Sequence, residues 1–264
     1  MSLAGKKERL ASSPEAFARE LLARLELRSA ADLTALLDRL GLSLKEVDSN
    51  GFEGVLVCRA DRRKGIIAIQ RAIPEEGRKR FTICHEIGHF ILPGHGTDGC
   101  VCKSEDIESW RNGVPEYEIE ANAFASELLL PYKELASLIR KEKATIALAK
   151  DVAKRFGSSL TAACLKCVEV TDEECAFVYS VDQSIKWFRR NENFWHYIRR
   201  GRLASESLAA NLFMGATRER DGAVPAEAWL EDEQLPSDAT IWEDSIFLPY
   251  YDSAITILTI HKPF

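Results

Sequence analysis

The chain has no apolar run near the roughly 20 residues that span a bilayer, so no membrane crossing is expected within its 264 residues. Its opening stretch, MSLAGKKERLASSPEA, is charged and has no apolar h-region, so no secretory signal is expected either. Positive charge is not in excess: 35 Lys and Arg stand against 41 Asp and Glu, a net charge of −6. A surface that gripped nucleic acid along its whole extent would need the opposite balance, because such binding is driven by neutralising phosphates. Repeats and low-complexity tracts are missing. The seven cysteines, at positions 58, 84, 100, 102, 164, 167 and 175, are odd in number and lack the spacing of a disulfide framework. They read as reduced thiols of a cytoplasmic protein.

What is present is an ordinary globular composition, 46% apolar and 29% charged, with enough chain to bury a core unaided. Ser13-Pro14 is a helix start, a capping hydroxyl followed by proline at the first helical position. A second helix, AADLTALLDRLGLSL, is ended by Gly41. The period then changes, and FEGVLVCRA and GIIAIQ flank the turn DRRK as a hairpin over roughly 52–70. A helix follows over about 78–91, stopped by Pro93-Gly94, and residues 94–114 form a long loop of the kind that often carries function. PEYEIEANAFASELLLP, residues 115–131, is a helix bounded by prolines, with glutamates in its first turn. Further helices run through YKELASLIRKE, TIALAKDVAKRFG and SSLTAACLKCVEV. Near residue 172 the texture shifts to strands, CAFVYSVDQSIKWFRR, EAWLEDEQL, TIWEDSIFLPYY and AITILTIHK, with a helix at ASESLAANLFMG. The expected class is α+β. A helical core of residues 1–172 has a small antiparallel sheet, and a smaller α+β domain covers 173–264.

The chain has only five histidines, and two of them stand four apart in His85-Glu86-Ile87-Gly88-His89. On a helix, positions i and i+4 share a face, so both rings can present a nitrogen to one ion, and two imidazoles suit Zn²⁺. Glu86 projects beside them, able to hold a water without displacing it, which is the mechanical content of H-E-x-x-H. Phe81, Cys84, Ile87 and Ile91 form the apolar stripe that any buried helix would show. A catalytic zinc site needs a third protein ligand and an open position. His95 does not fit the extended H-x-x-G-x-x-H spacing, and His196 and His261 are distant. The first turn of the 115–131 helix offers three carboxylates, Glu116, Glu118 and Glu120.

RFTICHEIGHFIL followed by EYEIEANAFASELLLP resembles the ImmA/IrrE metallopeptidases, a gluzincin-like group whose pattern is HExxH and then E-x-x-A-N-x-F-A-x-x-L-L-x-P. The matching residues are Glu118, Ala121, Asn122, Phe124, Ala125, Leu128, Leu129 and Pro131, and the resemblance covers roughly 30–172. It implies a helical metallopeptidase core with His85, His89 and Glu118 as metal ligands and Glu86 as the catalytic base. The implied ion is Zn²⁺, with Mn²⁺ or Fe²⁺ able to occupy the same ligands. It also implies peptide-bond hydrolysis in the bacterial cytoplasm, on a protein substrate such as a helix-turn-helix repressor. Glu116 and Glu120 are then solvated acids that favour the helix dipole. The alternative is a regulator that keeps the zinc fold but acts by binding DNA or a partner; the intact Glu86 speaks against it.

Tyr117, Tyr132 and His95 are the nearby candidates for stabilising an oxyanion, and packing or loop surface is their ordinary role. The strand at 65–70 either pairs with an extended substrate or is interior. Cys100 and Cys102 with His95 offer a second metal site, with free thiols the simpler reading, as it is for Cys164-x-x-Cys167. Residues 146–166 look like a helix-turn-helix, but the second helix presents little beyond Thr161 and Lys166 where base reading needs exposed Arg, Lys, Asn or Gln, so direct DNA binding is not expected. The basic run at 189–202 reads as a solvated face. Residues 173–264 suit a sensor or docking module.

Overall fold

The structure, a computed structural model, describes residues 13–30, 32–48, 51–59, 61–95, 115–215, 217–232 and 235–261, together with the backbone of 100–102. It divides into two compact units, Met1–Pro131 and Tyr132–Phe264. The composition change near residue 172 falls inside the second of these.

The first unit begins with helix α1 (Pro14–Arg24), capped by Ser13, whose Oγ accepts from the Ala16 N–H at 3.3 Å. Helix α2 (Leu33–Leu40) is capped by Asp32 and ends at Gly41, which adopts a φ of 70° in the left-handed region. Directly after it come β1 (Leu42–Val47), β2 (Gly54–Cys58) and β3 (Gly65–Gln70), then helix α3 (Glu76–Ile91), the short β4 (Cys100–Cys102) and helix α4 (Glu116–Leu129). The sheet order is β1-β3-β2-β4. β2 and β3 are the expected hairpin, but β1 runs parallel to β3, from Leu42 opposite Gly65 to Val47 opposite Gln70. The sheet is therefore mixed, not purely antiparallel, because β3 inserts between β1 and β2. Of the two readings of residues 65–70, the interior one holds, since β3 lies between β1 and β2. Ile67 and Ile69 are buried, and the edges among the described strands are β1 and β4. Lys45 and Glu46 are exposed on β1, charges of the kind that protect an edge. Residues 96–99 and 103–114, most of the expected loop, lie outside the described residues, as do the side chains of Cys100 and Cys102.

Helices α3 and α4 pack against each other and, with α1, enclose Ile83, Ile87, Phe124, Ala125, Leu128 and Leu129, all buried. Prolines bound α4 as its sequence predicts: Pro115 precedes its first turn and Pro131 follows its end.

The second unit starts with α5 (Tyr132–Ile139), α6 (Ile146–Phe156) and α7 (Leu160–Val170). Gly157, at φ 66°, turns α6 into α7, and Ser159 caps α7 through the Ala162 N–H. Lys166 is buried and held by Glu169 at 3.0 Å, so α7 has even less to offer a base edge than the sequence suggests. Next come β5 (Cys175–Val181), β6 (Ser184–Arg190), β7 (Gly201–Arg202), α8 (Leu208–Leu212), β8 (Glu219–Pro225), β9 (Thr240–Leu248) and β10 (Ser253–Thr259). They form an antiparallel sheet of order β7-β6-β5-β10-β9-β8. The strand expected at EAWLEDEQL is a correction: Ala226–Ala228 form a 3-10 turn. Its purpose is to bury Trp229, whose indole N–H donates to the Glu243 carboxylate at 2.7 Å. The strand in this region is instead β8, an edge of largely exposed residues without apolar alternation. The class remains α+β. No helix among the described residues is long and apolar enough to cross a membrane.

Candidate metal centre

Helix α3 is buried continuously from Thr82 to Phe90, so both histidines are removed from bulk water. One helical turn apart, they bring His85 Nε2 to 3.0 Å from His89 Nε2. Helix α4, packed on the same face, supplies Glu118, whose Oε2 lies 2.9 Å from His85 Nε2 and 3.4 Å from His89 Nε2. Of the three glutamates, this one reaches both rings; Glu116 is exposed, and Glu120 lies beyond the first turn and faces elsewhere.

The protonation pattern of this cluster follows from the partners behind it. His85 Nδ1 is 2.9 Å from Asn122 Oδ1, an acceptor, so Nδ1 carries the proton and Nε2 presents a lone pair. On the other ring, His89 Nδ1 is 2.9 Å from His95 Nδ1, and His95 Nε2 is 2.9 Å from Glu120 Oε2. A carboxylate only accepts, so His95 Nε2–H donates to it. In the neutral ring Nδ1 is then an acceptor, and His89 Nδ1–H must be the donor. Burial pushes His95 below the usual imidazole pKa despite Glu120, which keeps that ring neutral. His89 Nε2 thus also faces inward as a lone pair. Two lone pairs and a carboxylate oxygen converging without a proton between them repel unless a cation sits among them.

The spacing suits that cation. Bonds of about 2.0–2.1 Å in a tetrahedron give ligand–ligand edges of about 3.3–3.4 Å, against the 2.9, 3.0 and 3.4 Å found. The donor set, two imidazoles and one carboxylate, is one that zinc accepts, and it could hold a metal ion with a fourth position left over. Burial of Glu118 would by itself raise its pKa, but the His85 and His89 rings beside its carboxylate bring it down to about 2. It is therefore anionic at neutral pH. Glu86, the residue after His85, is fully buried and stays outside the three-donor cluster. It lies against Gly54 of β2, where an added Cβ would meet its Oε1 at 2.5 Å.

Several residues have roles that the sequence reading missed or misassigned. Asn122 stands within the motif quoted above, yet its hydrogen bond to His85 becomes visible only when α3 and α4 are side by side. Glu120 is not merely a solvated acid, since it holds His95. His95 is not free to stabilise an oxyanion, because both of its nitrogens are engaged. The one advance signal was its rarity, a histidine just past the end of α3 in a chain with few. Tyr117 remains in position, with its ring centroid 6.1 Å from that of His89 and 6.2 Å from that of His95. Tyr132 opens the second unit, and His196 is there too, beside Glu174 and Asp232 at 3.6 and 3.7 Å. Cys84 adjoins His85, but burial pushes its thiol up to about 12, so it stays protonated and is no ligand.

Residues 37–168, half of the chain, match the profile of the IrrE N-terminal-like domain, peptidase family M78. No curated protein matches. Among solved structures, a Mycobacterium tuberculosis transcriptional regulator superposes with a TM-score of 0.57 at 16% identity, covering 93% of this chain and 76% of that one. At that identity the likeness is one of fold.

Proposed function

The chain belongs to the IrrE N-terminal-like peptidase family M78, and from that premise we propose that it is a zinc-dependent endopeptidase acting on one or a few proteins. The observation that carries this is the convergence of His85 Nε2, His89 Nε2 and Glu118 Oε2, with the buried Glu86 next along the same helix. In this reading those three residues hold the ion, and Mn²⁺ or Fe²⁺ could replace zinc on the same donors. When bound, the ion supplies Lewis-acid polarisation of the scissile carbonyl and lowers the pKa of water to roughly 7.

The remaining work falls to this chain's own groups. A Glu86 carboxylate oxygen takes a proton from the attacking water and delivers it to the leaving amine nitrogen. Asn122 fixes the His85 ring with Nε2 inward. Tyr117, the exposed aromatic beside His89, is the hydroxyl donor for the developing oxyanion. Burial of the α3 face excludes bulk water around the ligands. No covalent intermediate is required.

The substrate we infer is a helix-turn-helix repressor, met in the cytoplasm. Support for that compartment comes from Cys58, Cys84, Cys164, Cys167 and Cys175, all free thiols. Residues 1–172 form the peptidase in this reading, and 173–264 the sensing or docking module. The test uses the DNA-binding protein encoded beside this one. Wild type should cleave it with zinc bound, Glu86→Gln should bind zinc and cleave nothing, and His85→Ala should lose the zinc. Equal regulatory effect of wild type and Glu86→Gln, without cleavage, would establish instead a regulator that works by binding.

A further inference from the structure

The structure assigns a positioning role to a pair that the proposed chemistry does not use: we infer that His95 and Glu120 fix the ring of His89 for metal binding, as a relay from His89 Nδ1 through His95 to the Glu120 carboxylate. The inference rests on the reading of His89 as a metal ligand and deepens it. The two ligand histidines are supported differently. His85 has a single neutral acceptor behind it, Asn122 Oδ1 at 2.9 Å. His89 has a second imidazole at 2.9 Å, and that imidazole is anchored at 2.9 Å by a carboxylate.

The relay is built from three parts of the first unit. His95 lies just beyond α3 and is only 5% exposed. Arg62, from the turn between β2 and β3, holds its backbone. That guanidinium donates to the carbonyls of Phe90 at 3.2 Å and Leu92 at 2.7 Å, and also to the carbonyl of His95. Glu120, just past the first turn of α4, anchors its side chain. The turn after α3 is thus tied at its carbonyls and at its ring, and the Nδ1 face of His95 is held against His89. His95 does not compete as a ligand, since it meets His89 on the nitrogen turned away from Glu118.

Two consequences follow from hydrogen-bond direction, because a neutral imidazole that offers Nε2 to an ion carries its proton on Nδ1 and so donates from there. The relay fixes the His89 tautomer with its lone pair toward the ion, and it ends on a negative charge, which makes His89 Nε2 a better donor. Outer partners of this kind are worth about 10–100-fold in metal affinity. Glu118, in the first turn of α4, and Glu120, just beyond it, belong to one helix, which thus supplies both a proposed ligand and the anchor for the support of another.

The experiment is zinc affinity of the full chain by competition with a chromophoric chelator, with the visible spectrum of the Co²⁺ form as a second readout. His95→Ala is expected to weaken zinc about 10–100-fold and to shift the Co²⁺ bands. His95→Asn, whose Oδ1 can stand where Nδ1 stood, should recover most of that loss, which a purely packing role would not allow. Glu120→Ala alters a side chain 42% exposed and so keeps the fold even if His95→Ala does not. It should weaken zinc about 10-fold, while Glu116→Ala leaves zinc binding unchanged. If zinc binds wild type and is lost in His85→Ala, yet Glu120→Ala and His95→Ala bind it as tightly as wild type, the relay is refuted and the peptidase reading stands. If His85→Ala binds zinc as well as wild type does, the metal centre itself is refuted, and the relay with it.

Discussion

Gly54 sets how close β2 can come to the proposed base. A methyl group there would sit 2.5 Å from Glu86 Oε1 and 2.6 Å from Thr82 Cγ2. Thr82 cannot easily rotate away, because its hydroxyl donates to the Arg78 carbonyl at 3.1 Å. In Gly54→Ala the carboxylate must therefore move, and a displacement near 1 Å is enough to cost about 100-fold in turnover. The variant should lose kcat on the proposed substrate to that extent while its zinc content matches that of wild type; unchanged kcat would mean that Glu86 is not the proton carrier. Tyr117 offers the complementary case. Tyr117→Phe removes a hydroxyl and keeps the ring beside His89, so kcat should fall about 100-fold with little change in KM, and an equal loss in KM alone would assign the tyrosine to substrate binding. At this scale the sequence was most legible where chemistry is local. The i, i+4 histidines and Glu86 follow from helical periodicity, and Glu118 from the motif that contains it. Asn122, His95 and Glu120 act through partners 37, 6 and 25 positions away, and Glu120 carries the same letter as two neighbours with different surroundings.

At the scale of elements, the site is the contact between α3 and α4. Gly88 is what lets them approach: a Cβ there would lie 3.3 Å from Ala121 Cα and Phe124 Cδ1, and 3.4 Å from Ala121 O. Two of those three are backbone atoms of a buried helix, so the helices themselves would have to part. Gly88→Ala gains about 1 kcal/mol of helix propensity but incurs overpacking of about 1–3 kcal/mol, and the net is a loss. Separation also moves Glu118 from His85 and His89, which ride on the other helix. The variant should show a lower Tm and weaker zinc binding together; a raised Tm with unchanged affinity would mean that the interface has slack. Helix boundaries were readable because caps and breakers are local, as at Ser13-Pro14, Gly41, Pro115 and Gly157. The parallel pairing of β1 with β3 was not, because it depends on β3 inserting between two strands that precede it. The polar edge β8 and the turn around Trp229 misled for a related reason, since what decides them is the buried Glu243 on another strand.

Across the whole molecule, the two compact units carry separate handles on stability. The proposed metal would act on the first. An ion that binds the folded state alone stabilises it by about 4 kcal/mol at a thousand-fold excess over Kd, so chelation should lower the unfolding temperature of that unit, and His85→Ala should abolish the difference. The second unit responds to acid through Asp244. This side chain on β9 is 7% exposed, accepts from the Ile146 N–H at 2.8 Å and lies opposite Asp221 on β8. Burial pushes its pKa up from 3.8 to about 6, Asp221 and Glu219 add to the rise, and the Ile146 N–H and Lys150 oppose it. The folded state therefore holds a proton that the unfolded chain releases near pH 4. This contribution to stability is greatest below that, falls as pH rises from about 4 to about 6, and stays lower above, by a term on the order of 3 kcal/mol. Glu243, also raised by burial, acts in the same direction. Asp244→Asn keeps an acceptor for Ile146 and removes the charge, so its stability should exceed wild type above pH 6 and converge with it near pH 4. Trp187, Trp195, Trp229 and Trp242 all lie in this unit, so denaturant unfolding followed by tryptophan fluorescence at several pH values reads the difference. Parallel wild-type and variant curves across that range would show that Asp244 titrates normally in the folded protein.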